Sequence, residues 1–213
     1  SCSTARFGKF PMEFVFDFLS NHKMLQSFDR PVWRVLKDGS RTYVDEMVKQ
    51  IGNRLHLNTP VKKVFRTKTG INVDLPDGTM AAFDEIILAC HADQSLKMID
   101  SPLAEEKALL ESFPYEENLV SLHSDDSLLP KRNSARASWN AYLPESHSSK
   151  ATVTYDMNIL QGLKSSKSYC VSLNQDESIE SSLHHGDFKF SHPTYHKGRK
   201  DSQERHKNFI RNQ

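Results

Sequence analysis

The histidines and their neighbours are the first residues of this sequence whose types and spacing could do chemistry. His184, His185, His192 and His196 fall close together, and His192 and His196 stand four apart, a spacing that can hold zinc on a helix. Pro193 breaks a regular helix between them, and neither a nearby cysteine nor an H-E-x-x-H string supports a metal site. Surface or packing histidines are the stronger reading. His123 with Asp125 has the makings of an acid–base pair; the plainer reading is a strand end with polar residues. Ser40 has no G-x-S-x-G elbow around it, so it reads as a helix N-cap rather than a nucleophile. The basic residues Arg199, Lys200, Arg205, Lys207 and Arg211 are interrupted by Asp201 and Glu204, which favours a solvated helix face over a nucleic-acid contact. Trp33 and Trp139 can line a pocket or simply pack. The run Ile86-Ile87-Leu88-Ala89-Cys90 reads as a buried strand ending in small residues. Ligands of open α/β sheets sit beyond such carboxyl ends, where small side chains let a flat ring approach, although the same strand can also just close a core.

The elements that must position these residues follow from periodicity. Pro11 to Leu25 predicts a helix with Phe14, Phe18, Leu19 and Leu25 on a partly apolar face. Val32 to Leu36 predicts a short strand, Lys37-Asp38-Gly39 a turn, and Arg41 to Ile51 a helix capped by Ser40. Strands are expected at Leu55 to Leu57, Val61 to Arg66, Ile71 to Leu75, Met80 to Phe83 and Glu85 to Cys90, with a hairpin turn at Pro76-Asp77-Gly78-Thr79. Helices follow over Ala92 to Ile99 and Pro102 to Phe113. The second half predicts spaced strands at Leu119 to His123, Ala135 to Tyr142, Thr152 to Met157, Tyr169 to Leu173 and Phe188 to Phe190, separated by polar loops such as Pro144 to Lys150 and Lys164 to Ser168. These form a separate, antiparallel sheet. Ser182 to Gly186 reads as a linker, and Gly198 to Asn212 as a polar helix or frayed tail.

Composition excludes several classes. A formal net charge of +1 on 213 residues gives no strong field aimed at nucleic acid or acidic lipid. No apolar run approaches the roughly 20 residues of a membrane-spanning helix. Ser1 to Arg6 is polar and does not open a signal peptide, and a first residue other than Met points to a partial or processed chain. Three widely spaced cysteines, Cys2, Cys90 and Cys170, argue against a disulfide framework and for a cytoplasmic setting.

Many of these segments, taken in order, resemble one family. Trp33-Arg34-Val35 with Gly39 to Val44, Thr59-Pro60-Val61 followed by Val64, and Phe83-Asp84 through Ala89 are similar to segments of FAD-dependent amine oxidase-like flavoproteins. His91-Ala92-Asp93-Gln94-Ser95-Leu96 narrows this to a subgroup of predicted NAD/FAD-binding amine oxidoreductases often found near cyclopropane fatty acid synthases. Phe113-Pro114-Tyr115, Leu122 to Asp125, Ala137 to Asn140, Tyr155 to Asn158, Ser172 to Asn174 and His192-Pro193 have counterparts there in the same order.

The resemblance implies α/β plus α+β architecture: a partial FAD-binding, Rossmann-like domain with an antiparallel-sheet substrate domain. It divides the chain into a helical part of the substrate domain (1–31), a partial FAD-binding domain (32–99), the substrate domain (100–183) and a return segment (184–213). Trp33, Gly39, Ser40, Val61 and Ala89 are the implied cofactor-binding residues, and no catalytic acid or base is implied. The implied reaction is hydride removal from a small-molecule substrate by FAD. Two departures stand out. Asp38-Gly39 replaces two adjacent glycines of the subgroup, and a carboxylate there repels a diphosphate that the turn faces. The sequence also holds no G-x-G-x-x-G string, the loop with which the family grips the pyrophosphate. Three expectations follow: a portion of an enzyme inactive alone, a degenerate homologue serving as a binding or interaction module, or one half of a split flavoenzyme completed by a complementary chain.

Overall fold

The computed structural model describes residues 11–142 and 152–206. The expected loop Pro144 to Lys150, and the ends of the chain with Cys2 and the last turn of the expected C-terminal helix, lie outside the described residues. Contacts divide the chain into two units, one of residues 1–44 with 116–192 and one of residues 45–115 with 193–213. The boundary falls within the second described helix.

The second unit contains a three-stranded antiparallel meander: β1 (Lys63–Arg66), β2 (Ile71–Asp74) and β3 (Met80–Phe83). Val64 faces Val73 across β1 and β2, and Val73 faces Ala81 across β2 and β3. Val64 and Val73 are both buried, so the register places the apolar pair in the small core. The β2–β3 turn is set by Asp77, whose carboxylate accepts from the Thr79 amide at 3.0 Å and its hydroxyl at 2.7 Å. Those bonds hold the Asp77 carboxyl below its ordinary value. Gly78 supplies the positive φ of 83° that the turn needs. The first meander turn depends on Gly70, where an added Cβ would run into the Phe83 carbonyl oxygen on β3.

Two short helices, α3 (Ala92–Met98) and α4 (Ala104–Glu111), follow the meander. The Asp100 amide donates to the Val64 carbonyl at 3.0 Å, and Val64 and Ile99 form a parallel bridge, so the α3–α4 connection is tied to β1. The Glu106 carboxylate accepts the Leu103 amide at the start of α4 and also pairs with Arg66 on β1. The returning segment closes on the end of α4. The Thr194 amide donates to the Pro114 carbonyl at 2.9 Å, and the Arg199 guanidinium lies over the Tyr195 and Phe113 rings at 4.2 and 5.4 Å.

In the first unit, α1 (Met12–Asn21) precedes a long irregular segment, and α2 (Arg41–Ile51) starts after the Asp38-Gly39 turn. The unit's sheet has the order β5-β6-β7-β4-β8, from β4 (Tyr115–His123), β5 (Trp139–Ala141), β6 (Val153–Asp156), β7 (Cys170–Leu173) and β8 (His184–Pro193). The single turn α5 (Met157–Gln161) leaves β6 through an N-cap, with the Asp156 carboxylate accepting the Ile159 amide at 3.1 Å. It stops at Gly162, which takes the left-handed conformation. The polar helix α6 (Arg199–His206) ends the described chain in the second unit.

The fold class is the expected one, helices with antiparallel sheets, but several elements differ. Val32 to Leu36 and Leu55 to Leu57 form no strand. Apolar, β-branched composition marks a residue that suits a ladder, and no described strand pairs with either segment. Glu85 to Cys90 is likewise irregular, and it is not buried on both sides: Ile87 is 91% exposed. Residues 182–186 are not a linker. A 3-10 turn at Ser181–Leu183 leads into β8 at His184, because the Ser124 amide donates to the Leu183 carbonyl at 2.8 Å and draws the strand against β4.

Replacing Gly70 by Ala forces the meander turn apart and is expected to lower stability by about 1–3 kcal/mol in urea unfolding, as overpacking against a fixed backbone does. Gly78→Ala, where an added Cβ meets nothing within 4 Å but φ stays positive, gives a smaller loss in the same measurement.

Candidate functional site

The five-stranded sheet is turned inside out relative to the usual pattern. Ser121, Ser172 and Thr154 lie side by side across β4, β7 and β6, and the next row holds His123, Cys170 and Asp156. All six are buried, His123, Cys170 and Ser172 completely. Leu122, Val171, Tyr155 and Trp139 occupy the row between them, and Val120, Leu173, Val153 and Ala141 the row beyond. Side chains alternate along strands, so these rows share the opposite face. Asp187 reaches Ser121 at 2.6 Å on the polar side, and alternation therefore sends Phe188 and Phe190 to the apolar one. Their rings stack at 6.3 Å, and Trp139 meets Tyr155 edge-on at 5.7 Å. No charged residue stands in the two apolar rows, and Trp139, Phe188 and Phe190 are exposed.

The polar face is fastened beneath short 3-10 turns. His123 Nε2 meets the Ser172 hydroxyl at 2.8 Å, which meets the Thr154 hydroxyl at 2.7 Å, which donates to Gln175 Oε1 at 3.0 Å. On its other side, His123 Nδ1 accepts the Asp125 amide at 3.2 Å. The Asp125 carboxylate accepts the amides of Ser127 at 2.9 Å and Glu180 at 3.0 Å, and these bonds hold it below the usual carboxylate range. His123 is held below its ordinary 6.5, chiefly by burial. Burial, reinforced by the Asp156 charge, pushes the Cys170 thiol up to about 11, so it is protonated at neutral pH. His123 and Asp125 thus form no exposed acid–base pair: every polar atom of the two side chains is committed within the fold.

The other histidines also have structural partners. His184 Nε2 lies 2.8 Å from Asp187 Oδ1, and His185 Nε2 lies 2.7 Å from the Ser124 hydroxyl. The His196 ring nitrogens face the carbonyls of Ser112 at 2.7 Å and Lys197 at 2.6 Å. Among the described residues no group of three or more His, Cys, Asp or Glu is placed to hold a metal ion.

The residues expected at a cofactor fall in both units. In the first, Trp33 is 73% exposed and stacks on His22 at 5.7 Å, which in turn meets Phe18 at 4.1 Å. A cavity of about 180 Å³ lies there, between Asn21, His22 and Pro31 to Arg34. Gly39 takes a φ of 83°, and an added Cβ would meet nothing within 4 Å. Ser40 is exposed, and the first turn of α2 is braced by the Thr42 hydroxyl, which donates to the Gly39 carbonyl at 2.8 Å. In the second unit, Val61 is half-buried and Ala89 is exposed. Ile86 and Leu88 point into a cavity of about 150 Å³ with Val64, Phe65, Ile71 and Ile99, while Ile87 between them points to water.

Comparison with known proteins settles the family. The profile described as flavin containing amine oxidoreductase matches residues 1–121. The chain belongs to that family. FAD is therefore the cofactor of this chain's family. Among solved structures, the flavin amine oxidoreductase chain is similar to wild-type putrescine oxidase bound to putrescine, at 12% identity over 68% of this chain and 32% of that one, with a TM-score of 0.43. It is also similar to a fatty acid isomerase from P. acnes that produces CLA, at 12% identity over 78% and 34%, with a TM-score of 0.46. The chain spans about a third of the length of each. No curated protein matches it. Uncovered small residues at Gly39 and Ala89 would suit the flat parts of FAD, whereas the Asp38 carboxylate beside Gly39 does not suit its diphosphate.

Sequence reasoning missed the buried set Ser121, Thr154, Ser172 and Gln175. The signal was there, as alternating polar residues on three successive strands, but alternation alone assigns the polar side to water. Ser172→Ala leaves the His123 N–H and the Thr154 hydroxyl each short of a partner and is expected to cost about 1–3 kcal/mol in urea unfolding. Both tryptophans, Trp33 and Trp139, should quench with acrylamide as exposed residues do; Trp139→Phe should remove about half of the quenchable emission, since the sequence has only two.

Proposed function

We propose that this chain is a portion of an FAD-dependent oxidoreductase that oxidises a small-molecule substrate, and that it is not active alone. The family match over residues 1–121 carries this reading. FAD, when bound, supplies the redox chemistry by accepting a hydride. The chain's own residues bind and orient. Trp33, Gly39, Ser40, Val61 and Ala89 are the residues of this chain that would meet the cofactor's flat and apolar parts, within a partial FAD-binding domain of residues 32–99. The sheet of residues 100–183 would be the substrate domain, its apolar face forming a wall that excludes water. Residues 1–31 and β8 would add to it, and the segment after β8 would belong with the cofactor domain.

One alternative is a split enzyme, in which a complementary chain carrying a G-x-G-x-x-G strand and helix would complete the site. A degenerate homologue retained as a binding module is the second reading, favoured by the Asp38 carboxylate where the subgroup has glycine. A cytoplasmic setting is the reading that the few, widely spaced cysteines favour. No described helix is long and apolar enough to cross a membrane.

The purified chain should be colourless and should return no flavin after incubation with FAD and desalting. Adding a polypeptide that carries the glycine-rich loop should restore a flavin absorbance spectrum. Stoichiometric FAD uptake by the chain alone would overturn the need for a partner, and a colourless mixture would favour the binding-module reading.

A further inference from the structure

The hydrogen-bonded row beneath the sheet has a direction that the chemistry of its members fixes. A backbone amide can only donate, so His123 Nδ1, facing the Asp125 amide at 3.2 Å, must present a lone pair. The ring proton is then on Nε2 and is donated to the Ser172 hydroxyl. Ser172 donates onward to Thr154, and Thr154 to the Gln175 carbonyl oxygen, which can only accept. His123 and Ser172 are 0% exposed and Thr154 is 1% exposed, so no water substitutes for a lost member of this row. The segment after β7 is held by both ends of the row. Gln175 is its last acceptor, and the Glu180 amide is bound by the carboxylate of Asp125, whose own amide is its first donor.

We propose that this row is a proton-operated latch: a proton added at His123 Nδ1 sets two donors against each other, and residues 175–180 come away from the sheet. No redox or covalent step is involved; one proton enters from solvent and stays on the ring. The groups around the ring set the direction. On its own connection, the Asp125 charge favours the imidazolium. From β8, His184 and His185 oppose it. Across β7 and β6 stand the protonated Cys170 thiol and the Asp156 carboxylate, whose Oδ1 is bound to the Ile159 amide. Burial dominates and holds the folded-state value below 6.5. The sign follows: the neutral ring contributes its full stability above about pH 6.5 and progressively less as acid is added, because the released state takes up the proton more readily. The latch is shut at neutral pH and opens in acid, and it does so whether or not the chain carries flavin.

Hydrogen exchange of the full chain between pH 7.5 and 5, corrected for intrinsic exchange, tests the latch. Opening at residues 175–183 should rise below about pH 6.5 with a slope approaching tenfold per pH unit, the limit for one proton. His123→Asn keeps an acceptor for the Asp125 amide but does not titrate, so its exchange should be flat over the same range. His184→Asn with His185→Asn should leave the slope in place. In the unsubstituted chain, imidazole nitrogen resonances should show the Nε2–H form of His123 at pH 7.5 and titrate in step with the Glu180 amide. The proposal fails if the slope survives in His123→Asn, if it vanishes only with His184 and His185, or if no slope exists. Should His123→Asn not fold, a His123 ring protonated at Nδ1 in the unsubstituted chain, or titrating without the Glu180 amide, overturns the proposal by itself.

Discussion

The sheet of the first unit depends on hydrogen bonds where most sheets depend on apolar contact. Among the described residues of this unit, eight polar or charged side chains are buried against three apolar ones, Leu129, Cys170 and Ile179, and the largest fully buried side chain is that of His123. A core of this kind is tolerated only when every donor meets an acceptor, because each orphaned group costs as much as a sizeable apolar contact contributes. Ser172 stands at the centre of the arrangement. It links β7 to β4 through His123 and to β6 through Thr154, so one hydroxyl joins three strands. With its polar side satisfied within the protein, the sheet is free to offer Trp139, Tyr155, Leu122 and Phe188 on the other. A rigid support behind and a charge-free surface in front are what the proposed substrate wall would require.

The second unit works by more ordinary means. Val64 and Val73 cluster under a tight meander, Glu106 secures both the start of α4 and Arg66 on β1, and Arg199 anchors the returning segment on Phe113 and Tyr195. What this frame holds in place is the segment 85–90, with Ile86 and Leu88 turned inward and Ala89 open. In the proposed reading a flat cofactor would pass this opening, where a small side chain lets it approach.

The amino-acid pattern made much of this legible. The helix over Arg41 to Ile51 and the Asp77-Gly78 turn between β2 and β3 were both legible, because both signals are local. Val32 to Leu36 and Glu85 to Cys90 looked like strands for an equally local reason, but a strand exists only with a partner, and partnership is a property of the whole fold. The sheet's polarity was hidden for a different cause. Ser121 and His123, Thr154 and Asp156, and Cys170 and Ser172 alternate correctly, yet period two says which residues share a face and not which face meets water. The five residues proposed at the cofactor rest on resemblance alone, since nothing in the chemistry of Val61 or Ala89 distinguishes a flavin neighbour from a packing residue.

The aromatic front of the sheet also governs how this protein should respond to temperature. Phe188, Phe190 and Trp139 are already hydrated in the folded state, so unfolding brings little new hydrocarbon into contact with water there. The share of the heat-capacity increment that comes from these three side chains is correspondingly small. Any occupant that covers this surface would steepen the stability curve, so calorimetry would register the occupant even when its chemistry is unknown.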